Sequence, residues 1–166
     1  VREGLEIAAI THGGGQEMRR RPGTENVAAI AGLGAAVAVA SRLESDIKQL
    51  RDQLESALEA KASGLTIFAA GAERLPNTCC FAIEGMAADT TLIAADLEGI
   101  AVSSGSACSS GKVAASPVLA AMGVAPDLAQ CAIRVSLGWN TTKHDVDRFI
   151  EIWHRLIERH HARSAA

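Results

Sequence analysis

Tyrosine is absent from this chain of 166 residues, and only three Phe and two Trp are present. An RNA-reading sheet or a single-strand groove needs exposed stacking rings, so this composition argues against that class. Neither sign of charge dominates: 16 Lys and Arg face 19 Asp and Glu, a formal net charge of −3. Such a balance gives no general attraction to nucleic acid or to anionic membrane. No apolar run reaches the roughly 18 residues of a spanning helix. Residues 27–40 come closest, but they are mostly Ala and Gly and stop short. Cys79, Cys80, Cys108 and Cys131 show no C-x-x-C spacing and no disulfide-framework density. Free thiols in this pattern fit a reducing cytoplasm. His12, His144, His154, His160 and His161 form no i, i+4 pair on one helix face, so no metal site is expected. The absence of a G-x-S-x-G elbow leaves a serine hydrolase without support. The chain opens Val1-Arg2-Glu3, without the basic n-region of a signal peptide. It also lacks an initiating Met, from which a missing upstream stretch is expected.

What is present describes a folded chain. Hydrophobic residues make up 48% and charged residues 21%, with mean hydropathy +0.15, which excludes a disordered polymer. Alanine supplies roughly a fifth of the residues, far above ordinary usage. The core must therefore be built from Ala, Leu, Ile and Val, with closely approaching helices.

Residues 5–10 read as a short strand, followed by a polar loop from His12 to Gly23. An Ala-rich helix is predicted from Thr24 to about Ala40, with Thr24 near its N-cap. Ser41 with Glu44 three residues on forms a capping box, and this opens a second predicted helix. Leu43, Ile47, Leu50, Leu54 and Leu58 recur along it at helical spacing, and Gly64 closes it. Strands are predicted at 65–69, 77–84 and 100–103, with a helix over 88–98 ending at Gly99. A short helix is expected with Ser116 as cap, Pro117 at its first position and Gly123 at its end. Residues 131–137 alternate as a strand. Thr142 caps a final helix whose apolar face is Val146, Phe149, Ile150, Trp153, Leu156 and Ile157. The fold class is α/β or α+β, with helices packed on a small mixed sheet.

Three places carry chemistry. In the first, Cys108 stands in Ser103-Ser-Gly-Ser-Ala-Cys-Ser-Ser-Gly-Lys112. So small and polar a stretch buries little apolar area to offset its ordering entropy and is expected to be exposed and mobile. A thiol on such a tip suits a group carrier, with Lys112 favouring the thiolate. It reads equally as a loop with an incidental cysteine. In the second, alternation places Cys131, Ile133, Val135 and Leu137 on one strand face and Ala132, Arg134 and Ser136 on the other. A guanidinium between two small residues makes a two-pronged carboxylate fork, or else it reaches solvent or pairs with a structural Glu. In the third, His12-Gly-Gly-Gly-Gln-Glu17 leads to Arg21-Pro-Gly-Thr-Glu-Asn26. The Gly loop, the Arg and the Thr hydroxyl at a helix N-terminus form a phosphate cradle or simply a solvated basic turn. No P-loop pattern is present.

Taken together, these segments resemble the cysteine desulfurases of the NifS/IscS type, pyridoxal-phosphate enzymes of the fold-type I, aminotransferase class V group. The matching stretches are His12–Glu17, Arg21–Asn26, Leu75-Pro-Asn-Thr78, Ser103–Cys108 and Ile133-Arg-Val-Ser-Leu-Gly138 with Thr141-Thr142. They occur in family order over nearly the whole chain. The resemblance implies that Cys108 is the nucleophile, taking sulfur from L-cysteine as a persulfide and leaving L-alanine. It also implies that Arg134 holds the substrate carboxylate. Thr24 would reach the phosphate of the pyridoxal 5'-phosphate bound by the partner subunit, so that a homodimer completes the site. The sulfur then passes to an acceptor or Fe–S scaffold protein.

One departure matters. None of Lys48, Lys61, Lys112 or Lys143 stands in the Ser-x-His-Lys context of the family's cofactor lysine, and the ring-stacking His is also missing. The chain is therefore expected to be a C-terminal portion of a fold-type I transferase. Residues 1–43 would be the tail of the large cofactor-binding domain, and 44–166 the small domain with the cysteine loop. Alone it is expected to be inactive. The alternative is a non-catalytic module that carries sulfur or docks in a dimer.

Overall fold

The computed structural model describes residues 4–6, 8–104 and 116–164. Its contacts divide the chain into two compact units, Val1–Ser41 and Arg42–Ala166. In the first, α1 (Gln16–Arg19) is a single turn whose Glu17, Met18 and Arg19 have φ of 49°, 55° and 65°. That left-handed conformation costs L-residues roughly 1–2 kcal/mol each. The expected strand at 5–10 does not form among the described residues, where the first regular element is α1.

Helix α2 (Val27–Lys61) runs unbroken across the two predicted helices. It starts at Val27 rather than Thr24, because Asn26 is the residue that caps it: the Asn26 Oδ1 accepts from the Ala29 N–H at 3.0 Å. The Ser41 capping box opens nothing, since no Gly or Pro interrupts the helix there. Val27, Ile30, Leu33, Val37 and Val39 are all exposed, and no described residue of the first unit is buried.

The second unit is built on a four-stranded sheet in the order β1-β2-β4-β3, with β1 Leu65–Ile67, β2 Thr78–Ile83, β3 Ser103–Ser104 and β4 Ile133–Ser136. Every pairing is antiparallel, where a mixed sheet was expected. Helices α3 (Ala88–Leu97), α4 (Pro117–Ala121), α5 (Pro126–Ala129) and α6 (Lys143–Ser164) complete it. Gly64 and Gly99, with φ of 72° and 76°, follow α2 and α3, in the conformation that a helix stop requires.

Period-2 alternation gives the sheet two different faces. Cys79, Phe81, Ile83, Ile133, Val135 and Leu137 join Leu54 and Leu58 of α2 with Val146, Phe149, Trp153 and Ile157 of α6 in the main core. Trp153 is its centre, edge-on to Phe81 at 5.0 Å and stacked on Phe149 at 5.3 Å. Ile152 is buried as well, whereas Ile150 is only partly so. On the opposite face Ala82 and Ala132 meet Phe68, Leu119 and Ala129, with Cys80 packed against them. Small side chains here let α4 and α5 lie close to the sheet. Cys131 belongs to this second cluster, not to the Ile133 face. The four-residue α5 precedes it, so the alternation begins only at Ile133, and the Cys131 thiol instead donates to the Asp127 carbonyl at 3.4 Å.

Candidate functional site

β4 lies inside the sheet between β2 and β3, and Arg134 is its second residue. Its register partners are Cys80 on β2 and Ser103 on β3. Directly opposed residues share a face, so the guanidinium rises between a thiol and a hydroxyl residue, with Ala132 and Ser136 leaving room along its own strand. Arg134 is half-buried and lines a cleft of about 370 Å³ that also borders Phe68, Arg74, Thr78, Cys80 and Ser116. Among the described residues its side chain makes no hydrogen bond or ion pair. The structural Glu that was the alternative reading is therefore not met there. A five-donor planar group on a cleft wall is free to take a two-oxygen anion.

Two neighbours were not singled out in the sequence. Burial pushes the Cys80 thiol up from its ordinary range, and the Arg134 guanidinium pulls it back down. Arg74 is already engaged: its Nη1 and Nη2 donate to the two carboxylate oxygens of Glu55, both at 2.6 Å. Glu55 follows Arg51 by four residues on α2, a spacing that reads as a solvated pair, and only its place between Leu54 and Leu58 of the apolar stripe pointed inward. Arg51 donates to Asp52 and to the Leu75 carbonyl at 3.0 Å, holding the Leu75-Pro76-Asn77 turn beside the cleft. Asn77 then fixes the strand ends: its side-chain amide donates to the Leu137 carbonyl at 3.1 Å, and the Leu137 N–H donates to the Asn77 carbonyl at 2.8 Å.

Cys108 and Lys112 lie in 105–115, outside the described residues. The residues at either end of that segment are described. Ser103 is in register with Arg134, and Ser104 with Ile133. Ser116 is buried, its Oγ accepting from the Leu119 N–H at 3.4 Å as the cap of α4, and it lines the Arg134 cleft. Of the two described flanks, Ser103 thus stands beside Arg134 on the sheet and Ser116 on the cleft wall.

In the first unit, the Arg21 Nη1 donates to the carbonyls of Gly23 and Thr24 at 3.0 and 3.1 Å, folding the turn ahead of α2. Thr24 stands two residues before the Asn26 cap with its side chain exposed. A hydroxyl just before a long helix is suitably placed for an anion at that helix's positive end. Among the described residues no three His, Cys, Asp or Glu gather as a metal ion would need. No helix there is long and apolar enough to cross a membrane.

Comparison with known proteins gives this geometry a context. Residues 7–149 match the family model for aminotransferase class V. Over 164 residues the chain is 39% identical to the cysteine desulfurase IscS of Dictyoglomus turgidum, spanning 96% of this chain and 41% of that one. Cysteine desulfurase 1 of Trichormus variabilis is also 39% identical, with the same two coverages. Among solved structures, a NifS-like protein from Rickettsia africae superimposes with a TM-score of 0.74 and 38% identity, over 93% of this chain and 41% of that one. The chain thus spans about two fifths of the length of the relatives it matches. The chain belongs to the aminotransferase class V family.

Proposed function

We propose that the chain is the cysteine-bearing region of a pyridoxal-phosphate-dependent cysteine desulfurase, active when the protein is complete. The observation that carries this reading is Arg134 on a cleft wall, its side chain without a hydrogen bond or ion pair among the described residues, with Ser103 beside it in register and Ser116 on the same cleft. Arg134 takes the α-carboxylate of L-cysteine through two parallel N–H donors, orienting the substrate thiol toward Cys108. The Cys108 thiolate forms an S–S bond to the substrate sulfur as the substrate Cβ–S bond breaks. The bonding pair stays with carbon, which takes up a proton to become L-alanine, and Cys108 is left as a persulfide. Bound pyridoxal phosphate supplies the electron sink that makes that bond labile.

Residues 1–43 are assigned to the tail of the large domain and 44–166 to the small domain. The exposed apolar side chains of Val27, Ile30 and Leu33 support that division, because a helix with such a face belongs against more protein. Thr24 is assigned to the phosphate of the partner subunit's cofactor in a homodimer, a donor that suits the group. The cofactor lysine is assigned to the part of the relatives' length that this chain does not span. The persulfide passes to an acceptor protein for Fe–S assembly or other sulfur chemistry. The free thiols of Cys79, Cys80 and Cys131 fit a cytoplasmic setting.

In the complete protein, Cys108→Ala is expected to abolish sulfide release from cysteine. Arg134→Gln is expected to raise KM by about tenfold or more, the weight of a charge-assisted hydrogen bond. Full sulfide release by Cys108→Ala overturns the reading.

A further inference from the structure

Two guanidinium groups border the cleft, and only one of them is free to take a ligand. Arg74 and Arg134 both line it. Arg74 is held by Glu55 through a two-pronged pair, with side-chain exposures of 18% and 12%. Both Glu55 oxygens are occupied by that fork. The other cation near Glu55 is Arg51, whose Nε lies 3.9 Å from Oε1 and whose donors already serve Asp52 and the Leu75 carbonyl. The charge of Glu55 is therefore matched chiefly by Arg74. The pair is neutral as a unit, so among these groups the Arg134 charge alone is uncompensated.

We propose that Glu55 is a specificity-determining residue: by holding Arg74 it leaves the cleft a single carboxylate site at Arg134 and selects ligands with one carboxylate over those with two. This rests on the reading that Arg134 binds a carboxylate, and it adds what that reading lacks, a reason for discrimination against acidic side chains. A second carboxylate entering the cleft finds no free donor fork among the described residues and loses its water without compensation. If Arg74 is released, a ligand with two acidic groups meets two guanidinium groups at once. Glu55 acts through Arg74 and touches no ligand itself.

The test uses the complete protein and a pair of probes with equal carbon count, butyrate and succinate, with dissociation constants read by titration calorimetry. Glu55→Gln is expected to improve succinate binding relative to butyrate by about tenfold, one added charge-assisted contact. In Glu55→Gln combined with Arg74→Gln that gain is expected to vanish. Glu55→Asp keeps the charge but shortens the reach, so it should give a smaller change of the same sign. It carries the test if Glu55→Gln does not fold. A merely structural pair would shift both affinities together and leave their ratio alone. An unchanged ratio in Glu55→Gln or, failing that, Glu55→Asp, with butyrate binding still lost in Arg134→Gln, overturns the inference alone. So does a gain that persists without Arg74. Butyrate binding that survives Arg134→Gln removes the carboxylate site itself, and the inference with it.

Discussion

Three of the thiols occupy three different environments, and reactivity follows environment. Cys79 is 1% exposed; burial, then the adjacent Glu55 carboxylate, pushes its thiol far up. Cys131 is buried and donates its S–H to a carbonyl. Cys80 is half-buried and borders the cleft; burial raises its thiol as well, but Arg134 across the strand offsets part of that rise. In a Cys108→Ala background, iodoacetamide at neutral pH is expected to alkylate Cys80 well before Cys79 or Cys131. Peptide mass mapping over time reads the order, and earlier modification of either buried thiol contradicts it. The opposite faces of Cys79 and Cys80 were legible from alternation alone. That Arg134 has no ion pair among the described residues was not, because the absence of an ion pair depends on every element around it. The Glu55–Arg74 fork joins residues 19 positions apart, a distance at which no local pattern carries information.

At the scale of elements, α6 has a reciprocal N-terminal cap. The Thr142 N–H and hydroxyl both donate to the Asp145 Oδ2, at 2.8 and 2.7 Å, and the Asp145 N–H donates back to the Thr142 Oγ1 at 3.3 Å. These bonds hold the Asp145 carboxyl below its ordinary range. A depressed folded-state value means that the stabilisation is fully present above the unfolded value of about 3.9 and is lost as pH falls through the folded one. Thr142→Ala is therefore expected to move the Asp145 titration up toward that ordinary value, followed by NMR of its carboxyl carbon. The Thr142 N–H bond survives the change, so the move is partial, and an unmoved titration would remove the hydroxyl as a cause. The Thr142 start and the Ser116-Pro117 start were both readable, since each cap side chain precedes its helix directly. Ser41 with Glu44 bears the same signature inside α2, where the backbone stays helical. Ser and Glu are tolerated in helix interiors, so the signature marks a start only where something else ends the preceding helix. α5 was missed because four residues are too few to show periodicity.

For the whole molecule, the two sheet faces divide labour: one is a packed core, the other a layer of alanines against short helices with a charged cleft beside it. The core depends on few large side chains, so each matters. Trp153→Ala is expected to cost about 3–5 kcal/mol of stability, read as a lowered denaturation midpoint, whereas Trp153→Phe should cost clearly less. Equal losses would mean that the rings around it collapse into the space. The indole Nε1–H is buried with no partner among the described residues, so Phe at this position removes an unsatisfied donor as well as some volume.

The scarcity of aromatics gives this stretch of chain a clean optical signature. These 166 residues contain no tyrosine, so their near-ultraviolet emission comes from tryptophan alone. The two tryptophans sit in opposite surroundings, Trp153 at 2% exposure and Trp139 at 78%. Apolar burial shifts indole emission to the blue and water shifts it to the red, so a single spectrum separates the interior from the surface. With Trp139→Phe only the interior reporter remains, and unfolding of the second unit can be followed by fluorescence without an added label.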